Sequence, residues 1–169
     1  MLMRRVRAAT LMLAMAAVAN LADAAEALPP IKIYGPKVCL ACIDWADHLR
    51  EHGFKVSFHG TDDMAAVKRR YKVPEDMESV HTAVVGRYFV EGHVPAEDIK
   101  LLLKEKPKAR GLAVPGLPRG APGRERSTPF CEQGCTILDS EGVEREVRRE
   151  LFNTMLVAPN GKTSVWERH

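Results

Sequence analysis

Short apolar runs alternate along this chain with stretches whose apolar residues recur every three or four positions, a pattern that predicts a mixed succession of strands and helices. Ile31-Lys32-Ile33-Tyr34 reads as a first strand. Cys42, Ile43, Ala46 and Leu49 then fall at helical spacing until Gly53 supplies a stop. A second strand spans Lys55 to Phe58, and a second helix follows it. That helix has Thr61 as its N-cap, Asp62 and Asp63 in its first turn, and Lys68, Arg69 and Arg70 in its last, which suits the helix dipole at both ends before Pro74 closes it. Thr82 to Val85 and Tyr88 to Val90 are β-rich runs separated by Gly86-Arg87, a tight-hairpin pattern. Pro95 then opens a third helix at its preferred first position, with Glu97 and Asp98 early, Ile99, Leu102 and Leu103 on the buried face, and Lys104 and Lys106 late.

Beyond Lys108 the texture changes. Gly111 to Gly123 is rich in Gly and Pro and predicts an irregular loop that runs over the surface or lines a site. Residues 125–150 are strongly charged, and 141–150 read as a solvated helix or a mobile excursion. Met155-Leu156-Val157, a turn at Pro159-Asn160-Gly161 and Thr163 to Trp166 predict a closing hairpin. No internal repeat is visible.

The order β-α-β-α-β-β-α has Cys39-Leu40-Ala41-Cys42 between its first strand and first helix. That placement predicts a thioredoxin-like α/β fold, a central mixed sheet flanked by helices, with a C-terminal extension and hairpin. Residues 31–108 form the core in this reading, 109–124 the Gly/Pro-rich loop, 125–150 a cysteine-containing insertion, and 151–169 the hairpin that completes the same domain.

The first two dozen residues set the compartment. Arg4, Arg5 and Arg7 precede an apolar run from Ala8 to Ala19, and Ala22-Asp23-Ala24 is a small-x-small cleavage pattern. This reads as a secretory signal peptide, residues 1–24, too short for a comfortable membrane span; Ala27 is a second cleavage choice. The mature chain of about 145 residues suffices for one domain with a real core. Its formal charge falls from +3 to about +1 as three arginines and one aspartate leave with the signal. Interleaved charges and sparse aromatics offer no nucleic-acid surface. The mature protein is expected to be periplasmic and not membrane-spanning, where disulfides persist.

The chemistry concentrates in cysteine and histidine. A thiol at a helix N-terminus meets the positive end of the backbone dipole and unpaired N–H groups, which favour thiolate. Cys42 lies one turn beyond Cys39, close enough to close a small disulfide or to share a soft metal ion, so redox exchange and copper or zinc binding both fit. In the redox reading Cys39 is the exposed nucleophile and Cys42 its partly buried resolving partner; an inert staple is the third option. Cys131 and Cys135, spaced C-x-x-x-C, form either a local disulfide or a soft-metal clip. His93 is expected to cap or orient the third helix, and Trp45 to pack in the core. No paired carboxylates, Ser-His-Asp order or phosphate-cradling loop points to a hydrolase or kinase.

Several separated blocks add a resemblance. Asp62-Asp63-Met64, His81-Thr82-Ala83-Val84-Val85 with Glu91-Gly92-His93-Val94-Pro95, and Gly111-Leu112-Ala113-Val114-Pro115-Gly116 resemble the CopG-like family of bacterial periplasmic metal-binding proteins. The likeness runs from about Ile31 to Gly123 and resumes from Phe152 to His169. It implies a thioredoxin-like domain that binds copper, Cu(I) with the thiols reduced, and serves copper resistance with a thiol-redox element. It also implies His81 as a site residue beside Cys39 and Cys42, with Cys131 and Cys135 as further candidate ligands. The implied partners are the metal ion and a periplasmic copper-handling or redox protein. Departures from the family pattern each remove sulfur: Ala41 in a C-x-C-C motif, Val80 before His81, and Leu117 and Arg124 where methionines occur. Three functions follow as alternatives: a copper-binding protein, a thiol-disulfide oxidoreductase, and a degenerate, non-catalytic family member.

Overall fold

The computed structural model describes residues 27–124 and 150–169. Their elements run β1 (Ile31–Gly35), α1 (Leu40–Glu51), β2 (Val56–Gly60), α2 (Met64–Tyr71), a 3-10 turn (Glu75–Met77), β3 (Thr82–Val85), β4 (Tyr88–Glu91), α3 (Ala96–Glu105), β5 (Gly111–Ala113), β6 (Asn153–Val157) and β7 (Thr163–Arg168). The strands form one seven-stranded mixed sheet, ordered β2-β1-β3-β4-β5-β6-β7. β1 runs parallel to β2 and β4 parallel to β5, and every other pairing is antiparallel.

Strand alternation sends each strand's residues to two faces. On one face Ile31, Ile33, Ala83, Val85, Val90 and Leu112 pack against Trp45, Ala46 and Leu49 of α1 and Ala96, Ile99 and Leu102 of α3. Each fully buried large side chain contributes about 1.5–3 kcal/mol relative to exposure. On the other face a smaller cluster of Val73, Phe89, Ala113 and Val157 gathers Tyr71 and Met77 beside α2.

Four local features differ from the sequence pattern. The N-cap of α2 is Asp63, not Thr61: Asp63 Oδ1 accepts the Ala66 N–H at 2.8 Å, while Thr61 Oγ1 accepts the Asp63 N–H one step upstream. Pro95 is the N-cap of α3 and not its first helical residue, and the His48 imidazole supplies an acceptor for Ala96 N–H at 3.1 Å. Lys68 does lie in the last turn of α2, but it is buried and turned onto Glu91 of the sheet, not left to the helix dipole alone. Residues 111–113 are a strand inside the Gly/Pro-rich stretch, because β4 and β6 pair with them from both sides. A Cβ at Gly111 would stand 2.0 Å from the Phe89 carbonyl oxygen, so glycine is what admits this close pairing.

The terminal hairpin reaches residues 153–168 and adds two strands to the sheet beyond β5. Asp98 in the first turn of α3 ties it down, accepting the Thr154 hydroxyl at 2.5 Å and the His169 imidazole at 2.9 Å.

Candidate functional site

β1 delivers the chain to Gly35, and after Pro36-Lys37-Val38 the first helix begins with Cys39 as its N-cap. The Cys39 sulfur accepts the Cys42 N–H at 3.2 Å, satisfying one of the donors a helix start leaves open. Cys39 and Cys42 are joined in a disulfide with their Cα atoms 5.3 Å apart. The pair is more covered than the nucleophile reading requires, with Cys39 at 9% and Cys42 at 0% exposure. The reason is Gly35: a Cβ there would stand 3.2 Å from Cys42 Sγ, so a bare backbone lets the sulfur lie against the strand end. Exposure passes to the apolar neighbours Val38, Leu40 and Ile43.

The strand register brings a histidine to the same place. Tyr34 pairs with Thr82 across β1 and β3, so His81, one residue earlier, lies opposite Gly35. Trp45, one turn beyond Cys42, sets its ring over His81 with centroids 4.5 Å apart. His93 closes the group, 4.9 Å from His81 and 6.4 Å from Trp45 between ring centroids. All three side chains are fully buried.

Each ring is aimed by a hydrogen bond or left bare. Trp45 Nε1 donates to the Val94 carbonyl at 2.9 Å, which anchors the residue after His93 to α1. His93 Nδ1 lies 2.7 Å from the Pro122 carbonyl, a pairing that puts the proton on Nδ1 and leaves the Nε2 lone pair bare. That carbonyl arrives because Gly123, at φ +79°, lets the loop lie on α1; a Cβ there would stand 2.7 Å from the Trp45 nitrogen. Among the described residues, neither nitrogen of His81 nor Nε2 of His93 has a hydrogen-bond partner of good geometry. Buried, unpartnered imidazole nitrogens are unusual, and a ligand is one physical reason to retain them.

Burial also decides their charge. Desolvation pushes His81 well below the usual histidine range, helped by the neighbouring His93 and offset in part by the Gly92 backbone. Desolvation brings His93 to about 4, against the Pro122 carbonyl, and brings His48 to about 4 with help from His52. The imidazoles are therefore neutral, the form that ligates metal, at any pH above about 5. Each of these histidines binds its proton more weakly folded than unfolded, so stability is fully present above about pH 6.5 and falls as pH drops towards 4. Glu91, raised by burial, works in the opposite sense. Melting temperatures at pH 7, 6, 5 and 4 are expected to decline steadily; a flat profile would show that the histidines are not buried as neutral groups.

Among the described residues no three His, Cys, Asp or Glu side chains are grouped to hold a metal ion. Reduction changes the donor set. Two thiolates and two imidazoles at one end of the sheet are the donor types that suit zinc and soft copper.

The fold brings Cys39, Cys42 and His81 to one end of the sheet. Cys131 and Cys135 lie outside the described residues. His93, read from sequence as a helix-orienting residue, belongs to the same group. Counting register outward from Gly86-Arg87 finds it: the hairpin pairs Thr82 with Glu91, so His81 and His93 flank its open end.

Comparison with known proteins places this arrangement. The family described as "Protein of unknown function, DUF411" matches residues 77–124, the stretch that holds both buried histidines and the Pro122 loop. Two solved structures, titled copper resistance protein copG in Form 1 and Form 2, are each 37% identical to this chain with a TM-score of 0.68. Each alignment covers 84% of this chain and 98% of the other. No curated protein matches the sequence.

Proposed function

This chain belongs to the family of the copper resistance protein CopG, and from that premise we propose that it binds copper in copper resistance, through Cys39, Cys42, His81 and His93. The observation that carries the reading is the pair of buried, neutral histidines with bare nitrogens at the sheet end occupied by the cysteines. Cu(I) is the favoured oxidation state because it prefers soft thiolate, and zinc is the natural competitor for an S2N2 set. Cys131 and Cys135 are candidate additional ligands on the strength of their chemistry and spacing alone.

A thioredoxin-like core, residues 31–108, is part of this proposal. Its support is the order of elements, the β2-β1-β3-β4 arrangement with only β1 and β2 parallel, and α1 and α3 packed together on one face with α2 on the other. The remaining segments follow the sequence reading: an exported signal at 1–24, the 109–124 loop, the 125–150 insertion and the 151–169 hairpin. Export to the periplasm rests on the Arg4-Arg5-Arg7 and Ala8 to Ala19 pattern. No helix among the described residues is long and apolar enough to cross a membrane.

The closed Cys39–Cys42 disulfide favours a second reading, thiol-disulfide exchange with a redox partner protein. There the Cys39 thiolate attacks a partner disulfide, one partner sulfur leaves as thiolate, and Cys42 resolves the mixed disulfide as the partner's second thiolate departs. One experiment separates the two. Reduced protein, titrated anaerobically with Cu(I) against a competing chelator, is expected to take the ion, and the disulfide form to bind it far more weakly. A reduced protein that leaves the chelator undisturbed overturns the copper reading and leaves the exchange reading.

A further inference from the structure

Behind His81, on the opposite face of the sheet, stands a buried ion pair that neither the cysteines nor the imidazoles use. Glu91 ends β4 at 0% exposure, and Lys68 reaches it from α2 as an ion pair with side-chain exposures of 7% and 0%. One carboxylate oxygen takes the Lys68 ammonium and also the Ser79 N–H at 2.7 Å. The other takes the Thr82 hydroxyl at 2.6 Å. Ser79 and Thr82 bracket His81, so one carboxylate grips the chain on both sides of that histidine. The Gly92 N–H, just past the end of β4, donates to the His81 carbonyl at 3.1 Å and completes the hold.

A buried ion pair is a poor source of stability. Taking two charges out of water costs several kcal/mol per ion, and replacing such a pair by apolar residues is often neutral or stabilising. The pair therefore calls for another reason to be present, and the two bonds of its carboxylate to Ser79 and Thr82, one on either side of His81, supply one. We propose that the Lys68–Glu91 pair is a positioning device that holds the His81 imidazole at the metal site from the far side of the sheet. It rests on the reading of His81 as a copper ligand. Lys68 neutralises the carboxylate enough for it to remain an acceptor of both the Ser79 and Thr82 donors. The imidazole is then presented in one orientation before any ion arrives, as supporting shells do for ligating histidines.

The test separates position from stability. Lys68→Met/Glu91→Leu removes the charges together and leaves no lone buried ion. Its melting temperature is expected to equal or exceed that of the wild type, while Cu(I) affinity of the reduced protein falls about tenfold or more. Lys68→Met/Glu91→Gln keeps an acceptor for the Ser79 N–H, and is expected to recover most of the affinity. Should the apolar pair fail to fold, Thr82→Val, which removes one grip and keeps the side-chain shape, is expected to weaken binding in the same direction. Hydrogen exchange of the 79–82 amides in metal-free protein gives an independent readout and is expected to quicken in the apolar variant. Wild-type affinity in a folded apolar variant, or in Thr82→Val, overturns the proposal. Unchanged 79–82 exchange in a folded apolar variant overturns it whether or not copper binds. Failure of the wild type to bind Cu(I) overturns the copper reading instead.

Discussion

The double substitution Cys39→Ser/Cys42→Ser is expected to weaken Cu(I) binding by more than about a thousandfold while leaving the fold in place. Four-ligand structural zinc sites in small peptides bind with about 10–16 kcal/mol, so two of four ligands account for roughly half of that, well beyond the 4.1 kcal/mol of a thousandfold change. Serine cannot compensate, because its hydroxyl is a hard, neutral donor where the ion prefers thiolate. The fold has little reason to respond. The disulfide closes a loop with a sequence separation of only 3, and loop-closure entropy assigns so small a ring about 2 kcal/mol at most. Core packing on this face comes from Trp45, Leu49, Ile99 and Leu102, which the change does not touch. Chelator competition measures the first quantity and thermal melting the second. A variant that binds within about tenfold of the reduced wild type would remove the cysteines from the site.

Much of this arrangement is legible along the chain because it is local. Strand, cysteine pair and helix follow one another within 21 residues, and N-capping by Cys39 is a consequence of that order. The β3–β4 hairpin is announced by its own turn residues. What sequence hides is settled at a distance. The buried state of Lys68 depends on a carboxylate 23 residues away, and the tautomer of His93 on a carbonyl 29 residues away. β5 hides for a different reason. Its Gly-Leu-Ala has no strand signature of its own and becomes a strand through neighbours on both sides, one of them contributed by residues 153–157. The cysteines of the charged insertion stand in the same relation to the site: chemistry is visible in their spacing, proximity is not.

Trp45→Ala is expected to be the most damaging single substitution to stability. The indole is fully buried in the main cluster, and removing an aromatic side chain from such a position costs about 3–5 kcal/mol. That is a large part of the roughly 5–15 kcal/mol available to a domain, and in one of this size it lowers the melting temperature by about 10–20 °C. Trp45 also joins core to site. Its Nε1–H holds the Val94 carbonyl, its ring lies over His81, and its backbone nitrogen is where Gly123 seats the loop that carries the Pro122 carbonyl to His93. The cavity left by alanine opens directly beside both imidazoles, so Cu(I) affinity is expected to fall with stability. Trp45→Phe keeps a ring over His81 and abandons only the hydrogen bond, leaving the Val94 carbonyl without its donor at a cost of about 1–3 kcal/mol. Denaturant unfolding of the two variants therefore separates packing from anchoring. An alanine variant that loses less than about 1 kcal/mol would mean that the indole is not the keystone between α1 and the histidines.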